Sequence, residues 1–355
     1  MKRVLQLAQK GMGHVSPNPL VGALVVKNDQ IISEGYHAKF GGPHAEAAAL
    51  QKLNPSQAEN STLYVNLEPC VHHGKTPPCV DKIIEYGIAK VVIGMEDPNP
   101  LVKHKGIDRL RTAGIDVELG IMEDTCRELN EAFVKSITQK KPFVTLKVAQ
   151  TLDGKIAKST GESKWITSEN ARKTVHKMRK ASDCILVGVN TVIQDNCRLT
   201  VRLVSGNSGK RIILDSTLRI PLDTHVINDE NRSDTIIVTT AKAPKDKIDS
   251  IRKTGARVWI VDETVKGTVD IGKVLKKIYE QNMISVLVEG GRKVFTSFLR
   301  QREVDKIIIF IAPRLFGKGI ESFGYLEDSQ ILSPESFKQI QWHKRDKEII
   351  FKGWL

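Results

Sequence analysis

The sequence predicts an α/β protein made of two domains, and three observations carry that expectation. Short runs rich in Val and Ile, such as LVGALVV (20–26), CILVGV (184–189) and KIIIFIA (306–312), are of strand length. Longer stretches with helical periodicity lie between them, so strand and helix alternate, as they do when helices cover a central sheet. The alternation also starts twice. Near 136–142 the chain turns polar and basic, SITQKKP, and a fresh strand, FVTLKVA, opens after the proline. A chain of 355 residues likewise suggests two domains at about 150 residues each.

Taken in order, residues 2–11 read as a helix and 20–26 as a strand. HAEAAALQKL (44–53) is rich in Ala and Leu, the strongest helix formers, and reads as a helix. TLYVNLE (62–68) is a strand, VDKIIEYG (80–87) a helix closed by Gly, KVVIGM (90–95) a strand, and GIDRLRTAG (106–114) a helix that again ends on Gly. Beyond the boundary, strands are expected at 143–149, 184–189, 211–215, 235–240, 257–261, 285–289 and 306–312. The clearest helices there are ENARKTVHKMRK (169–180) and VLKKIYEQN (274–282). No internal repeat or low-complexity tract interrupts the pattern.

Hydrophobic residues make up 40% of the chain and charged residues 27%, ordinary usage for a globular protein with a core of its own. The five cysteines, Cys70, Cys79, Cys126, Cys184 and Cys197, are sparse and odd in number. That pattern argues against a secreted disulfide framework and for a reducing compartment. The N-terminal MKRVLQLAQKG has only a short apolar stretch and no small-residue cleavage site, so no signal peptide is expected. The run IIIFIA (307–312) is far too short to cross a bilayer. A soluble, cytoplasmic protein is expected. The net charge of +13 is spread along the chain. It fits a solvated basic surface, or attraction to a phosphorylated small molecule, a phosphate-bearing cofactor or nucleic acid, and does not choose among them.

The stretch LEPCVHHGKTPPC (67–79) concentrates potential metal ligands. Cys70 and Cys79 suit zinc, and His72 and His73 together could close a four-ligand Cys2His2 structural site. A second arrangement draws on PHAE (43–46) upstream. His, Glu two residues later, then Pro-Cys and a further Cys form the zinc-deaminase pattern. In that pattern His44, Cys70 and Cys79 hold the metal and Glu46 moves protons without ligating. Pro43, and Pro77 with Pro78, each precede an expected helix start, and the positive helix ends favour thiolate. A catalytic zinc lowers the pKa of water to about 7. One geometric condition applies: side chains two apart on a helix point about 200° apart. His44 and Glu46 therefore share a site only at the helix end.

SPNPLVGALVV (16–26), GYHAKFGGPHAEAAAL (35–50), LEPCVHHGKTPPC (67–79) and MEDPNP (95–100) together resemble the bifunctional deaminase/reductase family of riboflavin biosynthesis. The first domain is similar to the cytidine-deaminase-like superfamily. Eight residues separate the cysteines, where nucleic-acid deaminases carry PCxxC. The resemblance implies a substrate-binding role for Asn18, His37, His72 and Lys75, the last a cation suited to phosphate. Val15, His104 and Cys197 depart from residues common in the family.

The second domain resembles the family's dihydrofolate-reductase-like half through LKVAQTLDGKIA (146–157), GESKWIT (161–167), ASDCILVGVNTVIQDNCRLTVR (181–202), LDSTLRIP (214–221) and LVEGG (287–291). No Rossmann GxGxxG follows its first strand. Gly290-Gly291 before a helix from about Arg292 reads either as an anion-binding turn or as an ordinary strand-to-helix turn. The resemblance implies NADPH contacts from Ala149, Trp165, Thr191, Asp195, Ser216 and 291–297, including Gly291, Arg292 and Lys293. It implies substrate contacts from Ser163, Arg179, Leu199, Arg202 and Glu289. The arginine forks match phosphate oxygens.

The expectation is therefore a zinc-dependent pyrimidine deaminase over 1–140 and an NADPH-dependent reductase over 143–355. The protein would act on a phosphorylated pyrimidine without nucleic-acid or membrane partners, as a homo-oligomer. Lys147, Asp153 and Glu289 are candidate acids for the reduction. Two other readings stay open: a nucleic-acid deaminase, and a zinc-stabilised binding module.

Overall fold

The structure is a computed structural model and describes residues 1–72, 77–163 and 166–355. The chain divides into two units, Met1–Lys141 and Pro142–Leu355.

The first unit is built on a five-stranded sheet. Its strands are β1 (Gly22–Lys27), β2 (Gln30–Tyr36), β3 (Thr62–Leu67), β4 (Lys90–Met95) and β5 (Asp116–Leu119), in the order β2-β1-β3-β4-β5. β1 runs antiparallel to β2 and β3, and β3, β4 and β5 are parallel. The parallel strands are joined through helices Cys79–Glu85 and Lys105–Thr112. Val25, Leu63, Val65, Ile83, Ile93 and Leu110 are fully buried between sheet and helices. The Ala-rich helix Ala45–Leu50 lies against β1 and β2. Gly35 permits that approach, because a Cβ there would stand 2.3 Å from the Ala45 carbonyl oxygen. This close packing fixes the helix start that carries His44.

The second unit holds a nine-stranded sheet and a two-stranded ribbon. Its strands are β6 (Phe143–Thr151), β7 (Lys155–Lys158), β8 (Cys184–Gly188), β9 (Lys210–Leu214), β10 (Thr235–Thr239), β11 (Arg257–Ile260), β12 (Ser285–Gly290), β13 (Lys306–Ala312), β14 (Gly319–Glu321), β15 (Gln339–Arg345) and β16 (Glu348–Trp354). The large sheet runs β11-β10-β9-β8-β12-β6-β13-β16-β15, and β14 pairs with β7. From β11 to β13 all neighbours are parallel, and the β15–β16 hairpin adds on antiparallel. Apolar cores cover both faces, one around Val144, Leu186, Val288 and Phe298, the other around Ile185, Ile213, Ile237 and Ile251. Burial on both sides explains why CILVG and TIIVT are apolar without alternation.

Several boundaries and elements differ from the sequence reading. The first helix is Lys2–Gln9, and helix Glu131–Gln139 runs into the stretch read as linker, closing at Lys140 with φ 54°. The reading missed β2, β5, the β7–β14 ribbon, the helices Glu123–Leu129 and Val189–Asp195, and the β15–β16 hairpin. A turn signal for β2 was present: Asn28 and Asp29 both have positive φ and join β1 to β2 as a two-residue hairpin loop. No helix among the described residues is long and apolar enough to cross a membrane.

Candidate active sites

His44 is the N-cap of helix Ala45–Leu50, with extended φ −69° and ψ 161°. It therefore does not follow the helical spacing, and it points to the same place as Glu46 in the first turn. Cys70 follows the end of β3, and Cys79 opens helix Cys79–Glu85. His44 Nδ1 lies 3.5 Å from Cys70 Sγ and 3.3 Å from Cys79 Sγ. The three ligand atoms fall within 4.8 Å of one another. Tetrahedral zinc with ordinary Zn–S and Zn–N lengths needs S to N separations of about 3.6 Å, so this donor set fits the ion. The Cys79 backbone N–H donates to Cys70 Sγ at 3.4 Å, which stabilises sulfur as thiolate. His72 is not part of the cluster, and His73 lies outside the described residues, so three ligands converge among the described residues.

Glu46 is 4% exposed beside this cluster. Burial, and then the Cys70 charge, push its carboxyl up to about 7, where it can both accept and return a proton at neutral pH. Asn18 Nδ2 donates to His37 Nε2 at 3.1 Å, and His37 Nδ1 donates to the Pro43 carbonyl at 2.9 Å. That pair of bonds fixes the His37 tautomer. Burial lowers its pKa, which keeps the ring neutral. Asn18, His37, His44, Glu46, Cys70 and His72 all line one cavity of about 280 Å³. Lys75 lies outside the described residues. Asp97, Asn99 and Phe133 also line this cavity and were missed as individual residues. The MEDPNP stretch that carries the first two was the available signal.

The second unit holds a separate cavity of about 1230 Å³. Ala149, Ser163, Arg179, Thr191, Asp195, Leu199, Arg202, Ser216, Glu289, Gly291, Arg292 and Lys293 all line it, and Trp165 lies outside the described residues. Ser163 donates to Asp195 at 2.9 Å, and Ser216 Oγ accepts from Val269 N–H at 3.1 Å. β12 ends at Gly290. Gly291, with φ 98°, opens helix Arg292–Arg300 and provides no side-chain cap. A Cβ at Gly290 or Gly291 would stand 3.1 or 3.4 Å from Thr191 Oγ1. The bare turn and the uncapped helix start leave room and N–H donors for an anionic cofactor such as a dinucleotide.

The Arg179 fork, expected to face phosphate, is occupied. It grips Glu289 at 2.5 and 2.9 Å and donates to the Thr200 carbonyl at 3.0 Å. Burial works against the Glu289 carboxylate, but the Arg179 charge and hydrogen bonds, with Lys147, outweigh it and lower its pKa. Lys147 stands 3.9 Å from Glu289, and burial lowers its own pKa. Asp153 is not at this cavity. Its carboxylate accepts from Thr151, Phe316 and Gly317, so it serves as a turn brace and is no acid for the reduction. Cys197 is half-buried and packs on the β8–β9 core, as a small filler would.

A family model described as the RibD C-terminal domain matches residues 142–351, and one described as the cytidine and deoxycytidylate deaminase zinc-binding region matches 1–95. The chain belongs to the RibD family. The RibD protein of Aquifex aeolicus is 48% identical over 90% of this chain and 88% of its own length. That of Escherichia coli K12 is 37% identical over 96% and 95%. Among solved structures, the Thermotoga maritima diaminohydroxyphosphoribosylaminopyrimidine deaminase/5-amino-6-(5-phosphoribosylamino)uracil reductase superposes with TM-score 0.85 at 40% identity, covering 100% of this chain and 97% of the other. Acinetobacter baumannii RibD gives 0.84 at 35% identity, covering 99% and 97%. As a RibD-family member, the chain is a bifunctional enzyme of riboflavin biosynthesis. It has a zinc-deaminase region and a reductase domain of the NADPH-dependent RibD type.

Proposed function

We propose that residues 1–140 hydrolytically deaminate 2,5-diamino-6-ribosylamino-4(3H)-pyrimidinone 5′-phosphate. Residues 143–355 then reduce the ribosyl chain of that product to ribityl, giving 5-amino-6-ribitylamino-uracil 5′-phosphate. The observation that carries the reading is a buried carboxyl, Glu46, that lines one cavity together with His44 and Cys70 of the His44/Cys70/Cys79 cluster. The activities named for the Thermotoga maritima relative support it.

His44, Cys70 and Cys79 would hold zinc, which would supply the Lewis acidity that makes water a nucleophile near neutral pH. Glu46 takes the proton from the attacking water and delivers it to the departing amine, so water enters and ammonia leaves. Asn18 and His37 orient the ring, and His72 and Lys75 contact the nucleotide. In the second unit a bound NADPH would supply the hydride for C1′ of the opened ribose. Ala149, Trp165, Thr191, Asp195, Ser216, Gly291, Arg292 and Lys293 hold the cofactor. Ser163, Arg179, Leu199, Arg202 and Glu289 hold the sugar and its phosphate. With the Arg179 fork taken by Glu289, Arg202 is the better phosphate partner, and the Arg179–Glu289 pair suits ribose hydroxyls.

The substrate is a free nucleotide and not nucleic acid, since eight residues separate the cysteines. No membrane partner is required. Five free cysteines fit a cytoplasmic protein. The edge strand β15, with Ile340 and Trp342 exposed, supports a homo-oligomer.

Purified protein given the pyrimidine nucleotide and NADPH should release ammonia first and then oxidise NADPH. NADPH oxidation without prior ammonia release would overturn the order of steps. Zinc-bound protein that releases no ammonia would favour a binding module.

A further inference from the structure

Alternate residues at the end of β3 serve different neighbours. Asn66 accepts from the Gly22 N–H at 2.8 Å and donates to the Leu20 carbonyl at 2.9 Å, which holds the segment following Asn18. Cys70, four residues on, belongs to the metal cluster. Between them, at the same two-residue spacing, stands Glu68, 3% exposed.

Glu68 Oε1 accepts from the N–H groups of Gly106 at 3.0 Å and Ile107 at 3.3 Å, and Oε2 from those of Asp97 and His104 at 3.3 and 3.2 Å. An ionised carboxylate has about four acceptor positions, and here one side chain gathers four backbone donors from one segment. That segment presses on the strand end: a Cβ at Gly106 would stand 2.3 Å from the Pro69 carbonyl oxygen. It also carries Asp97 and Asn99 into the wall of the smaller cavity. Asp97 Oδ1 accepts from the Asn99 backbone N–H at 2.8 Å, and Asn99 Oδ1 accepts from the Leu101 N–H at 3.0 Å, so each side chain is held within the segment.

We infer that Glu68 is a positioning residue of the deaminase. It fixes the 97–107 segment, and with it Asp97 and Asn99, relative to the ligand Cys70 two residues away. The inference rests on the functional reading above and deepens it. Glutamine has the same shape but one acceptor oxygen, and its NH₂ group would meet N–H groups head-on. Glu68→Gln should therefore release the segment without removing a metal ligand.

The test uses the full zinc-loaded chain. In Glu68→Gln, amide exchange over 97–107 should speed up at least about tenfold, because those N–H groups lose their acceptor. KM for the pyrimidine nucleotide should rise about tenfold or more, with a smaller fall in kcat. Zinc should stay at the wild-type ratio, and reduction of separately supplied deaminated intermediate should be unchanged. Asn99→Ala should raise KM on its own yet add little to Glu68→Gln, since both act through one segment. Gly106→Ala attacks the same junction with the carboxylate in place and should reproduce the KM effect. It decides the matter if Glu68→Gln does not fold. Unchanged exchange over 97–107, zinc loss, multiplicative effects with Asn99→Ala, or a silent Gly106→Ala would each overturn the inference. The exchange measurement reads the segment itself, whereas ammonia release by the unaltered enzyme reads the functional proposal, so the two can fail separately.

Discussion

The Arg179 guanidinium clasps the Glu289 carboxylate through two bonds, 2.5 and 2.9 Å long, in the wall of the larger cavity. The side chains are only 12% and 6% exposed, so each charge depends on the other. Removing one partner of such a pair is destabilising by about 3–5 kcal/mol, while replacing both with apolar residues can be nearly neutral. Arg179→Met should therefore lose stability of that order. Arg179→Met with Glu289→Leu should regain only part of it, because Lys147 loses its carboxylate neighbour, and should not regain reduction. All four tryptophans lie in the second unit, so urea unfolding followed by tryptophan fluorescence reads this unit alone.

His176 gives the second unit a pH signature. Its Nδ1 accepts the Arg202 N–H at 2.8 Å, and burial, then the Arg179 and Arg202 charges, push its pKa down to about 4. The folded-state value lies below the usual 6.5, so the unfolded chain binds the extra proton first. Stability from this group is complete above about pH 6.5 and is lost as pH falls toward 4. His176→Asn keeps an acceptor near the Nδ1 position and removes the titration. The urea midpoint should then fall less steeply between pH 6.5 and 4 than in the unaltered protein.

Gly291 tests the cofactor side. Its φ of 98° lies where side chains are strained, although a Cβ there would meet Thr191 Oγ1 only at ordinary contact distance, 3.4 Å. Gly291→Ala should destabilise the unit by about 1–3 kcal/mol and raise KM for NADPH, with ammonia release unchanged. Steady-state kinetics of the two half-reactions in one preparation separate the effects.

Chelation should act on one half of the chemistry. Stripping the metal should abolish ammonia release, while reduction of supplied deaminated intermediate continues and the tryptophan signal of the second unit stays native. Loss of both activities on chelation would contradict the assignment of zinc to the first unit alone.

Chemistry was more legible in the sequence than conformation. His44, Glu46, Cys70 and Cys79 were readable because a metal site limits residue type and spacing. The condition that His44 sit at a helix end was met through its extended N-cap backbone, which spacing alone could require but not supply. Parallel strands buried on both faces announced themselves as apolar runs. The hairpin β15–β16 did not, because QIQWHKR is an exposed edge whose order comes from pairing with β16. The Arg179–Glu289 clasp joins residues 110 apart, and Glu68 works through backbone N–H groups up to 39 residues away. Neither partner choice leaves a local pattern. Arg179 therefore read as a free phosphate fork, and Glu68 as only part of a motif.

The central claim is a proton carrier beside a three-ligand metal, and Glu46→Gln addresses it most directly. Zinc content and ammonia release are measured together on the full chain with the pyrimidine nucleotide. Zinc should remain bound at the wild-type ratio, while ammonia release falls by about 10²–10⁴-fold. A variant that keeps its zinc and deaminates at near the wild-type rate would contradict the account.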